Sequence, residues 1–254
     1  MGQNFLVDPS VVRRIVSSAG VLAGDLVVEI GPGMGILTRE LLLSGAEVVA
    51  VELDRELMRF LEHDLNGASG LRLIERDARH VDVAELTGTR PYQVVANLPY
   101  SVATVVIRHF IEAHNAPSTM TVMVQREVAE RMIAAPPHMS LLGLASQLYA
   151  SMMIAFIVPP DVFIPPPKVE SAVVRMTIRK AMPLTLEERN RLFALATMAF
   201  QRKRKTISNG LSQGLGMPKT ELEGRLEQAG IDPARRPQTL DVDEWLRVTQ
   251  VLAR

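Results

Sequence analysis

The tetrapeptide Asn97-Leu98-Pro99-Tyr100 carries residue types suited to one kind of chemistry. An exocyclic amino group such as that of adenine donates its lone pair into the ring and is a poor nucleophile. Two acceptors on its hydrogens would localise that pair on nitrogen. The Asn97 side-chain oxygen is one, and the backbone carbonyl of Leu98 is the other, because Pro99 fixes the turn. Tyr100 offers a ring on which a base could stack. A methyl group could then transfer in line, driven by proximity and acceptor electrostatics, with no strong general base. Read alone, the same four residues are equally a plain turn. Phe163 opens a second segment, followed by Ile164-Pro165-Pro166-Pro167-Lys168-Val169-Glu170-Ser171. Proline stiffness would hold Phe163 as a platform, so that Tyr100 and Phe163 sandwich an extruded base. The competing reading makes Phe163 a core residue and the prolines a corner.

Val27-Val28-Glu29-Ile30-Gly31-Pro32-Gly33-Met34-Gly35 is a buried strand running into a glycine-rich turn. Glycines serve there because the backbone must turn tightly and approach a ligand. The spacing departs from the dinucleotide pattern G-x-G-x-x-G, since position 36 is Ile. Glu29-x-Gly31-x-Gly33-x-Gly35 resembles the first motif of class I methyltransferases, whose ligand has no phosphate to cradle. A nucleotide-binding Rossmann domain stays open on this motif alone. Glu52, about 20 residues past the loop, can accept hydrogen bonds from both ribose hydroxyls, which suits NAD equally. Asp77, after the third strand, can accept the adenine amino group of a cofactor. Either acid could instead cap a helix.

These residues need a scaffold. Short runs rich in Val, Leu and Ile at 26–30, 47–52, 71–75, 92–97, 119–125, 152–158 and 172–178 read as strands. Segments 36–44, 55–65, 102–113 and 126–134 read as helices. Such alternation implies a mostly parallel sheet with helices on both faces. After Lys180 the strand signal stops, and 186–200, 206–215, 219–229 and 242–252 read as helices. The expected domains are therefore 1–181 and 182–254, with the boundary at Met182-Pro183.

Bulk properties exclude several classes. The 254 residues contain no cysteine, so disulfides, thiolate metal sites and cysteine nucleophiles are ruled out. No run reaches the roughly 18 apolar residues of a membrane span, and the start of the chain lacks a secretory signal pattern, so no membrane and a cytoplasmic location are expected. Net charge is zero, but residues 180–254 hold 13 Lys and Arg against 9 Asp and Glu, a net of +4 that the first 179 residues balance.

Together these residues resemble the KsgA-type ribosomal RNA adenine dimethyltransferases, relatives of the Erm methyltransferases, over nearly the whole chain. Gln3-Asn4-Phe5-Leu6 is similar to the family's N-terminal motif, and 29–35, Glu52, Asp77, 97–100 and 163–171 follow in the family's order. Gln125-Arg126-Glu127-Val128-Ala129-Glu130-Arg131 is also typical. The resemblance implies an α/β fold: a class I, Rossmann-like methyltransferase with a mostly parallel seven-stranded sheet and a small all-helical C-terminal domain. It implies S-adenosylmethionine as cofactor, S-adenosylhomocysteine as product, and no metal. By carry-over, Asn4, Leu6, Gly31, Gly33, Glu52, Asp77 and Asn97 contact the cofactor, while Asn97, Leu98, Pro99, Tyr100 and Phe163 form the catalytic set. Arg202, Lys203, Arg204 and Lys205 resemble the family's basic helix start and would bind RNA phosphates. Gly230-Ile231-Asp232-Pro233-x-x-Arg236-Pro237 is closer to the KsgA-type turn than to the Erm one. The implied activity is dimethylation of two adjacent adenosines in a hairpin loop near the 3′ end of small-subunit rRNA, by a monomer acting on the maturing small subunit. An Erm-like activity on large-subunit rRNA and a non-enzymatic ribosome-assembly RNA binder are the alternatives. Two departures from the family pattern stand out: no basic leader precedes Gln3, and 136–149 lacks the expected Gly-Ser-rich loop.

Overall fold

The computed structural model describes residues 4–180, 184–202 and 204–252. In chain order these form β1 (Phe5–Leu6), α1 (Pro9–Ala19), β2 (Leu26–Ile30), α2 (Ile36–Leu43), β3 (Glu47–Glu52), α3 (Arg55–Asp64), β4 (Leu71–Glu75), α4 (Val83–Thr87) and β5 (Gln93–Asn97). There follow α5 (Ala103–Ile111), β6 (Thr119–Gln125), α6 (Arg126–Ile133), α7 (Leu141–Tyr149), β7 (Ala150–Val158), β8 (Phe163–Ile164) and β9 (Ser171–Ile178). The last helices are α8 (Leu186–Phe200), α9 (Ile207–Leu215), α10 (Lys219–Gln228) and α11 (Val242–Val251).

Two compact units result. One contains the described residues up to 129 together with 150–180; the other contains 130–149 together with the residues from 184 on. The sequence suggests a single cut at 181/182, a position outside the described residues. The structure differs in giving 130–149 to the helical unit. There, Gln147 Nε2 donates to the carbonyls of Met132 and Ala134, and Met139 N donates to Gln238 O at 3.0 Å. The unexpected sequence at 136–149 thus includes a helix, α7, whose Leu144 and Leu148 are buried.

The first unit is built on a seven-stranded sheet of order β4-β3-β2-β5-β6-β9-β7. The five strands from β4 to β6 are parallel, and β9 lies antiparallel between β6 and β7. Strand β2 is buried throughout, and Val94, Val95 and Ala96 of β5 are buried as well, as expected for strands covered on both faces. The chain runs outward from β2 to β3 and β4, then returns to place β5 on the other side of β2. That reversal opens a crevice at the carboxyl ends of β2 and β5, where α/β sheets bind ligands. A separate two-stranded ribbon pairs β1 with β8, Leu6 opposite Phe163 and Phe5 opposite Ile164.

Helix α1 is defined by its ends: the Asp8 carboxylate accepts from Ser10 N and Val11 N, Pro9 stands in the first turn, and Gly20 closes it at φ 69°. In the second unit, capping boxes start α8 (Thr185 with Glu188) and α11 (Asp241 with Glu244). Phe200 and Trp245 stack at 5.8 Å in the core of that unit.

Candidate active site

The topology brings the two sequence motifs face to face. Val27, Val28 and Glu29 of β2 pair with Gln93, Val94 and Val95 of β5, so the turn after Ile30 emerges beside Asn97. A Cβ at Gly31 would lie 3.7 Å from Pro99 Cδ and 3.9 Å from Asn97 O. Both loops line one cavity of about 370 Å³, together with Asn4, Phe5, Leu6, Glu29, Glu52 and Phe163.

Gly33 shows why this loop needs glycine. Its φ is +57°, and a Cβ there would stand 3.2 Å from the Phe5 ring. The loop is thus covered directly by the residue that β1 presents. Glu52, at the end of β3, is nearly fully buried and held by three backbone donors. Leu53 N and Asp54 N each donate to its Oε1 at 2.9 Å, and Gly33 N donates to Oε2 at 3.3 Å. Its carboxylate is therefore fixed against the glycine turn.

Asn97, Leu98, Pro99 and Tyr100 all reach the cavity. Leu98 is buried and its N–H donates to Met123 O, while Pro99 O accepts from Val102 N. Tyr100 is half-buried, and its hydroxyl shares a hydrogen bond with Ser171 Oγ at 2.6 Å. Phe163 is packed within the hydrophobic core, as the core reading expects, and it also lines the cavity.

Asp77 is placed differently. It does not line the cavity, and Arg79 chelates its carboxylate, with Nη2 to Oδ2 at 2.6 Å and Nε to Oδ1 at 3.0 Å. The Arg79 side-chain hydrogen bonds hold the Asp77 carboxyl down to about 2. Arg202, Arg204 and Lys205 are exposed in the turn between α8 and α9, in the second unit. Lys203, like Gln3, lies outside the described residues.

Glu29 is the residue that the sequence reading left without a role. It is 1% exposed, yet it lines the cavity, and its Oε2 has no hydrogen-bond partner among the described residues. Burial pushes its carboxyl up to about 8; the nearby Thr38 hydroxyl opposes this and the Glu52 charge adds to it. The signal was visible, because Glu29 is the one charged residue in the strand Leu-Val-Val-Glu-Ile.

Two solved structures share this architecture. The 23S rRNA methyltransferase ErmE superposes with a TM-score of 0.77 at 25% identity, covering 99% of this chain and 100% of that one. A dimethyladenosine transferase from Plasmodium falciparum has the same fold, with a TM-score of 0.82 at 24% identity and coverage of 96% and 95%. Fold and site together define a class I, S-adenosylmethionine-dependent methyltransferase. The family profile of ribosomal RNA adenine dimethylase matches residues 1–254. The ribosomal RNA small subunit methyltransferase A of Dehalococcoides mccartyi (strain 195) is 40% identical over 96% of this chain and 84% of its own length. The protein of that name from Moorella thermoacetica is 40% identical over 99% and 91%. The chain belongs to the ribosomal RNA adenine dimethylase family.

Proposed function

We propose that this protein dimethylates the exocyclic amino groups of two adjacent adenosines in a hairpin loop near the 3′ end of small-subunit rRNA, acting as a cytoplasmic monomer on the maturing small subunit. The observation that carries this reading is the convergence of Asn97, Leu98, Pro99 and Tyr100 with the glycine turn and Glu52 on one cavity. Identities of 40% to relatives named for the small subunit, against 25% to ErmE, favour the small subunit over the large. No helix among the described residues is long and apolar enough to cross a membrane.

The residues present fit S-adenosylmethionine. The turn at Gly31 and Gly33 leaves room where any Cβ would fill it, and two carboxylic residues suit a ligand carrying ammonium and sulfonium charges. Asn4, Leu6, Gly31, Gly33, Glu52 and Asn97 would hold it, Glu52 taking the ribose hydroxyls. Asp77 joins this set only if Arg79 yields its carboxylate, for instance to the cofactor's adenine amino group. Bound there, the cofactor supplies an electrophilic methyl group.

The chain's own residues do the rest. Tyr100 and Phe163 grip the extruded base. The Asn97 amide oxygen and the Leu98 carbonyl accept the two hydrogens of the amino group, which concentrates its lone pair toward the cofactor side of the cavity. With each methyl gained, the amino nitrogen gives up one proton to solvent. Arg202, Lys203, Arg204 and Lys205 contact phosphates, and recognition rests on RNA shape with a loop base splayed out.

The test is methyl transfer from labelled S-adenosylmethionine to small subunits lacking adenine dimethylation, followed by nucleoside mass analysis. Dimethyladenosine in small-subunit RNA is the expected result. Label confined to large-subunit RNA would move the assignment to an Erm-like activity, and cofactor binding without transfer would leave a binding factor.

A further inference from the structure

The hydrogen bond between Tyr100 and Ser171 has no part in the steps above. The two ends of this bond differ in rigidity. Ser171 is fully buried and begins β9, where its backbone stands opposite Gln125 of β6 on one side and Val158 of β7 on the other. Tyr100 lies on the loop between β5 and α5, half-buried, with its side chain at the cavity. A phenol ring on a loop turns about two side-chain torsions. A partner fixed in the sheet and bonded to the far end of the ring removes the first of these, the swing of the whole ring about the Cα–Cβ bond; turning about the ring's own axis leaves the oxygen in place.

We propose that Ser171 is a positioning residue, whose hydroxyl holds the Tyr100 ring in the place that seats the target base against Asn97. This rests on the base-gripping role of Tyr100 given above. It has a chemical corollary. With its oxygen tied to Ser171 at 2.6 Å, Tyr100 meets the base through its ring face. Tyr100→Phe then keeps the stacking face and loses only the anchor, so Tyr100→Phe and Ser171→Ala are two ways of cutting one bond. A double-mutant cycle separates that from two independent losses.

The measurement is kcat and KM for transfer to undermethylated small subunits, with cofactor Kd taken separately by calorimetry and products separated into mono- and dimethyladenosine. Each single variant should lower kcat about tenfold, the upper range for one neutral hydrogen bond. KM should change less than kcat, and in Ser171→Ala the cofactor Kd should stay within about twofold, since Ser171 does not line the cofactor cavity. The double variant should be no slower than either single one, the monomethyl share should rise in all three, and Ser171→Thr should restore most of the rate. Wild-type kcat in Ser171→Ala, multiplicative losses in the double variant, or cofactor affinity falling in step with kcat would each overturn the proposal. Should Ser171→Ala fail to fold, Tyr100→Phe alone decides, and an unchanged kcat and product ratio there overturns it. Wild-type protein run in parallel keeps the two levels apart: no transfer by the wild type sinks the reading of the site and this proposal with it, whereas transfer with uncoupled variants sinks only the role of Ser171.

Discussion

The cavity of the first unit and the basic turn of the second are built on opposite principles. Around the cavity, several proposed groups are set in place by their neighbours, while Asp77, off the cavity, is tied to Arg79. Three backbone N–H groups hold Glu52, the Phe5 ring covers Gly33, and the pairing of β2 with β5 sets Asn97 beside the glycine turn. In the turn between α8 and α9, Arg202, Arg204 and Lys205 are exposed and make no ion pair among the described residues. Directional chemistry needs geometry, and the fold supplies it from several sides. Phosphate attraction needs only charge, which works from a loose side chain. The first region should therefore fail steeply under single substitutions, and the second gradually.

The steepest failure is expected at Asn97. Asn97→Ala should lower methyl transfer by about 10²–10³, the cost of losing one preorganised polar group. Cofactor affinity, read by calorimetry, should change far less. Near-normal turnover in this variant would rule out the acceptor mechanism. Next comes Gly33→Ala, which forces a Cβ into a left-handed backbone at about 1–2 kcal/mol and displaces the Phe5 ring. Cofactor Kd should rise about tenfold; an unchanged Kd would mean that the turn does not touch the ligand. Gradual failure is the expectation for the basic turn. Replacing Arg202, Arg204 and Lys205 by Gln should reduce the slope of log K against log salt by about 2 for a single-stranded loop. An unaltered slope would reduce the turn to solvated surface and break the comparison from the other side.

The two regions also differ in how legible they were. Parallel strands read clearly because they are nearly unbroken Val, Leu and Ile, and β2, β3, β4 and β6 fall at the expected residues. Asn97 and Glu52 were readable because each sits at the end of such a strand. Other features do not follow from the strand pattern. Helix α1 is marked by its end residues, Asp8-Pro9 at its start and Gly20 after its end, and not by neighbouring strands. The ribbon of β1 with β8 joins residues far apart in the chain through strands of two residues each, too short for any periodicity. The grouping of 130–149 with the helical unit depends on long-range packing that local pattern does not encode. Arg79 stands two residues after Asp77, and its hold on that carboxylate depends on a side-chain conformation that residue types alone do not fix.

The smallest effect concerns Glu29, and its sign can be worked out. Its carboxyl is raised from 4.5 to about 8 in the folded protein, chiefly by burial. Between those values the unfolded chain has released this proton and the folded one still holds it. The folded state binds more protons, so stability contributed by this residue falls as pH rises from about 4.5 and levels off above about 8. Glu29→Gln keeps the shape and removes the titration. The Tm of the variant should therefore gain on that of the wild type across that window, by a few degrees at pH 8 if the difference is on the order of 1 kcal/mol. A gap independent of pH would mean that Glu29 is not held protonated. A ligand bearing ammonium and sulfonium charges next to Glu29 favours its ionised form, so saturating S-adenosylmethionine should narrow the gap. Glu29 Oε2, buried and without a hydrogen-bond partner among the described residues, would then be an atom on which the cofactor's positive charge acts. A gap that persists at full cofactor occupancy would separate Glu29 from the ligand and make it a buried acid of the scaffold alone.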